Sequence, residues 1–145
     1  MIDVKFLNKS ANKNPEYKTS GAAGVDIAVS EDVTLEGGSS VLLSTGLHFV
    51  IPEGYEGQLR LRSSMAKQGV VIPNAPGTID SDYRGEVKIP IRNLNHHTPF
   101  SISAGERIAQ LVINEVPRVR LSVVTELEWD SYRTDRGSGG FGSTN

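Results

Sequence analysis

Short runs of alternating apolar and polar residues, cut at close intervals by turn residues, constrain this sequence more than any other feature. Val87, Ile89 and Ile91 interleave with Glu86, Lys88, Pro90 and Arg92, and Val119, Leu121 and Val123 interleave with Arg118, Arg120 and Ser122. A period of two puts every second side chain on one face of an extended strand, so each run can bury one face. Further short apolar runs surround Val4 to Leu7, Val25 to Val29, Val41 to Leu43, Leu47 to Ile51, Gln58 to Leu61, Phe100 to Ile102 and Ile108 to Ile113. Between them lie Glu36-Gly37-Gly38, Pro52-Glu53-Gly54, Pro76-Gly77 and Ser103-Ala104-Gly105, residues that set or permit turns. Many short strands at this spacing predict an all-β sandwich, jelly roll or barrel. Valine plus isoleucine outnumber leucine plus alanine by 24 to 19, which favours the same class. Only Ser64-Met65-Ala66-Lys67-Gln68, with a serine start and Gly69 as a stop, reads as a helical turn.

A length of 145 residues matches one domain. The expected division is a β body over 1–130 and a C-terminal arm over 131–145, where the alternation stops. The arm holds four glycines and one large apolar side chain, Phe141. Its composition fits a loose terminus. An aromatic among glycines, with Arg136, Ser143 and Thr144 nearby, also fits a lid that closes over an aromatic, anionic ligand. A net charge of -2 gives no broad cationic field, so neither nucleic acid nor an anionic membrane is expected as a partner. The absence of cysteine excludes disulfides, thiolate nucleophiles and cysteine-ligated zinc. With no charged leader followed by an apolar stretch, a cytoplasmic protein is expected.

Several segments carry side chains suited to chemistry. In Leu59-Arg60-Leu61-Arg62-Ser63-Ser64, a strand with outward arginines runs into serines that open a helical turn. Free N–H groups, hydroxyls and a guanidinium fork suit phosphate oxygens, although a serine there also fits simple capping. The stretch from Asn74 to Gly85 sets an amide, the carboxylates Asp80 and Asp82 and the Tyr83 phenol in a hairpin-like frame. Asn74 can donate and accept on a base edge, and a carboxylate beside a phosphate can deprotonate water. The same residues also fit a turn that bonds its own backbone. Asp26 interrupts an apolar strand, a costly place for a carboxylate unless it is ion-paired or assists a nucleotide-bound magnesium. Gln110 is a further polar candidate for an anion contact. His96 and His97 point to opposite faces of a strand, and no third ligand is spaced to complete a metal site.

Five stretches, in order, resemble the five motifs of the trimeric dUTPases. They are Ala23-Gly24-Val25-Asp26, Arg62-Ser63-Ser64-Met65-Ala66, the run from Gly77 to Gly85, Gly105-Glu106-Arg107-Ile108-Ala109-Gln110, and the run from Arg136 to Thr144. Ser64 stands where many members have glycine, a change that keeps the backbone donor. The resemblance implies a jelly-roll-like β fold with a short helix and a flexible tail, assembled as a homotrimer whose sites are shared between subunits. It implies hydrolysis of dUTP to dUMP and pyrophosphate, which keeps uracil out of DNA and supplies dUMP. Asp80 would be the base, and Asp26 would hold Mg2+ through water. Arg62, Ser63, Ser64, Gln110, Arg136, Ser143 and Thr144 would grip the phosphates. Asn74, Gly77, Thr78 and Ile79 would read the uracil, with Phe141 stacked over it and the Tyr83 ring against the sugar. The tail, at most roughly 50 Å when extended, is long enough to reach a neighbouring subunit. Two other readings are a deoxycytidine triphosphate deaminase of the same fold and a dUTP-sensing interaction protein.

Overall fold

A computed structural model describes residues 1–141. Among the described residues eleven strands form: β1 (Lys5–Asn8), β2 (Val25–Ala28), β3 (Val33–Leu35), β4 (Ser40–Leu43), β5 (Leu47–Val50), β6 (Tyr55–Leu61), β7 (Val70–Val71), β8 (Gly77–Ile79), β9 (Ile89–Asn93), β10 (Phe100–Ile102) and β11 (Arg107–Glu115). All pairings are antiparallel, in four sheets ordered β2-β11-β6-β8, β4-β9-β7, β1-β5 and β3-β10. The architecture is all-β, as the alternating runs predict, and jelly-roll-like, as the resemblance implies.

The alternation also says which side chains fill the centre. Val87, Ile89 and Ile91 are buried while Lys88 and Arg92 face outward. With Ile27, Leu43 and Ile108 they form part of one continuous core. Each such side chain stabilises the fold by about 1.5–3 kcal/mol through removal from water.

The expected helical turn is present as α1 (Ser63–Ala66), whose Met65 plugs into the core. Three short elements, β3, β7 and β8, go beyond the strands that the alternation predicts, each too brief for a period to show. A second helix, α2 (Glu126–Trp129), followed by a 3-10 turn (Asp130–Tyr132), also lies beyond the one helix expected. Its signal was Thr125-Glu126-Leu127-Glu128. The Thr125 hydroxyl accepts from the Glu128 N–H, and the Glu128 carboxylate accepts from the Thr125 N–H, which is a capping box.

The run Val119–Val123 is a correction. It forms no strand in this chain, and Leu121 is 92% exposed. The sheet ends with Glu115, and everything from 115 to 138 is exposed. Alternation shows that a face suits burial but does not supply the surface that covers it.

Candidate active site

Two clusters of chemically active side chains form, at opposite ends of β6. The first is built on the β2-β11-β6 part of the main sheet. Gln110 lies opposite Asp26 on one side and Arg60 on the other, so these three side chains share the outer face. Just past the end of β6, Arg62 turns back: its Nε stands 3.3 Å from Asp26 Oδ1, and its Nη1 donates to the Arg107 carbonyl at 2.8 Å. Arg107 Nη1 donates to Asp26 Oδ2 at 3.0 Å. The Asp26 side chain, 16% exposed, is thus held between two guanidinium groups that neutralise it.

The capping alternative for the serines does not hold. The N-cap of α1 is Arg62, with no side-chain cap, so Ser63 and Ser64 occupy the first helical positions and are exposed. There the first backbone N–H groups of a helix have no intrahelical acceptor. The first cluster therefore offers cations and amide donors to an anion, with one carboxylate held among them. Arg107 belongs to it as well, a residue whose only signal in the sequence is its place three residues before Gln110.

The second cluster surrounds the hairpin after β8. Asn74, Thr78, Ile79, Asp80 and Tyr83 line a cavity of ≈ 380 Å³, bordered on its other side by Leu42 and the segment leading into β9. Gly77 is buried against Leu59, with the Asn74 amide beside it. Beyond Ile79 the backbone turns, with the Tyr83 N–H bonded to the Asp80 carbonyl at 3.1 Å. Asp80 and Asp82 therefore do not share the face of an extended strand. Asp80 also lines a second cavity, of ≈ 730 Å³, together with Arg84 and Arg118.

Register fixes how far apart the clusters are. Ile79 pairs with Gly57, so Asp80 follows at the level of Glu56, six residues before Arg62 along β6. At about 3.3 Å per residue, that is on the order of 20 Å. Of the described tail residues, Arg136 and Phe141 join neither cluster: Arg136 Nε bonds the Gly139 carbonyl at 2.9 Å within its own turn, and the Phe141 ring is fully exposed. Ser143 and Thr144 lie outside the described residues.

Magnesium is the cofactor in question, and Asp26 fits it in one way. Among the described residues, no three His, Asp or Glu side chains converge to form a cage. A single carboxylate whose oxygens keep spare lone pairs suits an ion that arrives with phosphates and retains its waters.

Comparison with known proteins decides the family. The dUTPase family model matches residues 11–145. The chain belongs to the dUTPase family. The dUTPase of Finegoldia magna is 43% identical over 146 residues, covering 99% of both chains. That of Desulfotalea psychrophila is 51% identical over 133 residues, covering 90% of this chain and 85% of the relative. Among solved structures, the dUTPase of Staphylococcus bacteriophage 80alpha with dUPNHPP is 30% identical, with a TM-score of 0.87 over 99% of this chain and 98% of that one. A phage phi11 dUTPase variant, described with a structural Mg(II) ion, is 27% identical, with a TM-score of 0.79 over 87% of this chain and 99% of that one. As a dUTPase, this protein is a hydrolase that splits dUTP into dUMP and pyrophosphate.

Proposed function

We propose that the active site of this dUTPase is composite, with the two clusters contributed by different subunits of a homotrimer. The separation along β6 carries this reading. Asp80 must act at the α-phosphorus and Arg62 on phosphates only a few ångströms from it, so the two cannot serve one triphosphate from within a single chain at on the order of 20 Å, because catalysis needs reacting atoms about 3–3.5 Å apart. A closed ring of three subunits brings the hairpin of one beside the Asp26–Arg62 end of the next and repeats the contact three times. The exposed Val119, Leu121 and Val123, together with the tail over 131–145, are then arms that find their cover on neighbouring subunits.

In this arrangement the cavity near Tyr83 takes the nucleoside. The Asn74 amide and the backbone of Gly77, Thr78 and Ile79 pair with the uracil edge. Arg62, Ser63, Ser64 and Gln110 bind the phosphates, and Arg136, Ser143, Thr144 and Phe141 close over them from a tail. Asp80 accepts a proton from a water molecule as its oxygen bonds to the α-phosphorus, and the bond to the bridging oxygen breaks, releasing pyrophosphate. Positioning and charge stabilisation supply most of the acceleration in such chemistry, so the anion-binding groups outnumber the single base. When bound, Mg2+ held by Asp26 through water would neutralise phosphate charge. The substrate is a soluble nucleotide, consistent with a cytoplasmic site of action, and no helix among the described residues is long and apolar enough to cross a membrane.

Pyrophosphate release across the deoxynucleoside and ribonucleoside triphosphates tests the reading. A site paired to the uracil edge leaves buried groups unmatched with cytosine, so dUTP is expected to lead dCTP by about 10⁴-fold. Comparable turnover of dCTP, or ammonia release from it, contradicts the reading.

A further inference from the structure

Packing alone does not hold Tyr83, whose residue is 45% exposed. Two contacts fix it instead. Its hydroxyl donates to the backbone carbonyl of Glu86 at 3.0 Å. Its ring also lies against Gly85: a Cβ added there would fall 2.3 Å from the Tyr83 hydroxyl oxygen and 2.5 Å from Cζ, closer than atoms can approach. The atoms that would be struck are the free end of a side chain. Gly85 has no left-handed backbone angle, so alanine fits the main chain and only the ring must leave.

Glu86 is itself anchored. Its Oε1 accepts from the N–H groups of Thr45 at 3.0 Å and Gly46 at 2.8 Å. The Thr45 hydroxyl donates to the Val87 carbonyl at 2.6 Å, and both Thr45 and Val87 are 1% exposed. The carbonyl that receives the Tyr83 hydroxyl is therefore rooted in the core. A steric wall rejects a larger ligand only by as much as it costs to move the wall, so a ring free to swing would admit what a fixed ring refuses.

We propose that Gly85 and Glu86 are positioning residues for sugar selectivity: by fixing the Tyr83 ring at the wall of the nucleoside cavity, they set how strongly a ribonucleotide is excluded. This rests on the reading of Tyr83 as the group that lies against the sugar.

The test compares kcat/KM for dUTP and UTP in the full chain for wild type, Gly85→Ala, Tyr83→Phe, Tyr83→Ala and the Gly85→Ala/Tyr83→Ala double variant. Gly85→Ala is expected to lower the dUTP-to-UTP ratio about tenfold with Tm unchanged, and Tyr83→Phe, which loses one hydrogen bond, to lower it less. In the Tyr83→Ala background, Gly85→Ala should have no further effect, because it acts only through the ring. If Tyr83→Ala lowers the ratio but Gly85→Ala does not, or if the two losses add, the positioning role is wrong while the reading of Tyr83 stands. If Tyr83→Ala also leaves the ratio unchanged, the sugar is read elsewhere and both fall. Should Gly85→Ala fail to fold, Tyr83→Phe decides: an unaltered ratio overturns the proposal.

Discussion

Asp26 Oδ2 receives a hydrogen bond from Arg107 Nη1 at 3.0 Å, joining β2 to the start of β11 at the end of the sheet where Arg62 also arrives. The carboxylate is held in place before any ligand is considered. Partly exposed ion pairs of this kind stabilise a fold by only about 0–1 kcal/mol each. Asp26→Asn should therefore leave Tm almost unchanged while weakening the response to Mg2+ by about 10–100-fold, as expected when a carboxylate that orients a metal's waters is lost. Titrating activity and nucleotide-dependent Mg2+ binding with the metal checks this; a wild-type Mg2+ response would remove Asp26 from that role.

Asp80 stands at the start of an exposed turn, where its removal disturbs no packing. Asp80→Asn should keep dUTP binding within a few-fold and cut turnover by about 10² or more, the loss typical of a general base. Calorimetric binding of a non-hydrolysable analogue beside single-turnover kinetics separates the two effects.

Deleting the chain after Thr134 removes Arg136 and Phe141, which pack against nothing in the body of their own chain. The truncated protein should melt within a few degrees of the full chain yet lose about 10²-fold or more in kcat/KM, the contribution of a group that positions substrate and excludes water. Full activity after truncation would show that the tail is no lid.

Glu86 gives the fold an acid-side dependence. Burial works to raise its carboxyl, but the N–H groups of Gly46 and Thr45, with Lys88 and His48 nearby, outweigh it and hold the group below its ordinary 4.5. With the folded value depressed, the unfolded chain takes up the proton first. The stability that Glu86 contributes is full above 4.5 and is lost as pH falls through the folded value. Glu86→Gln should flatten this part of the acid limb in a plot of Tm against pH; an unchanged limb would place the acid sensitivity elsewhere.

Much of this was legible in the sequence because it depends on local pattern. The alternation of Val87, Ile89 and Ile91 needs only period two and a core, and both are found. The short helix at Ser63 follows from its turn residues, though Arg62 rather than a serine takes the N-cap. What could not be read is what depends on distant partners. Asp26 meets Arg107 across 81 positions, and nothing near either residue announces the other. Val119, Leu121 and Val123 announce a face to be buried but not the absence of a covering strand in their own chain. The anchoring of Tyr83 by Gly85 and Glu86 is local, yet it depends on the turn geometry rather than on the residue types alone.

Subunit complementation is the most direct test of a site assembled from separate chains. On the proposed reading, Asp80→Asn and Arg62→Ala should each inactivate every site of a uniform trimer. Co-expressed with different affinity tags and purified through both, they should form mixed trimers in which one site in three pairs an intact Asp80 with an intact Arg62 from the adjacent subunit. Recovery of about a third of wild-type activity is the predicted result, from the symmetry of a closed ring of three. Mixed trimers as inactive as either parent would mean that both residues serve the same site from one chain, and the composite active site would be wrong.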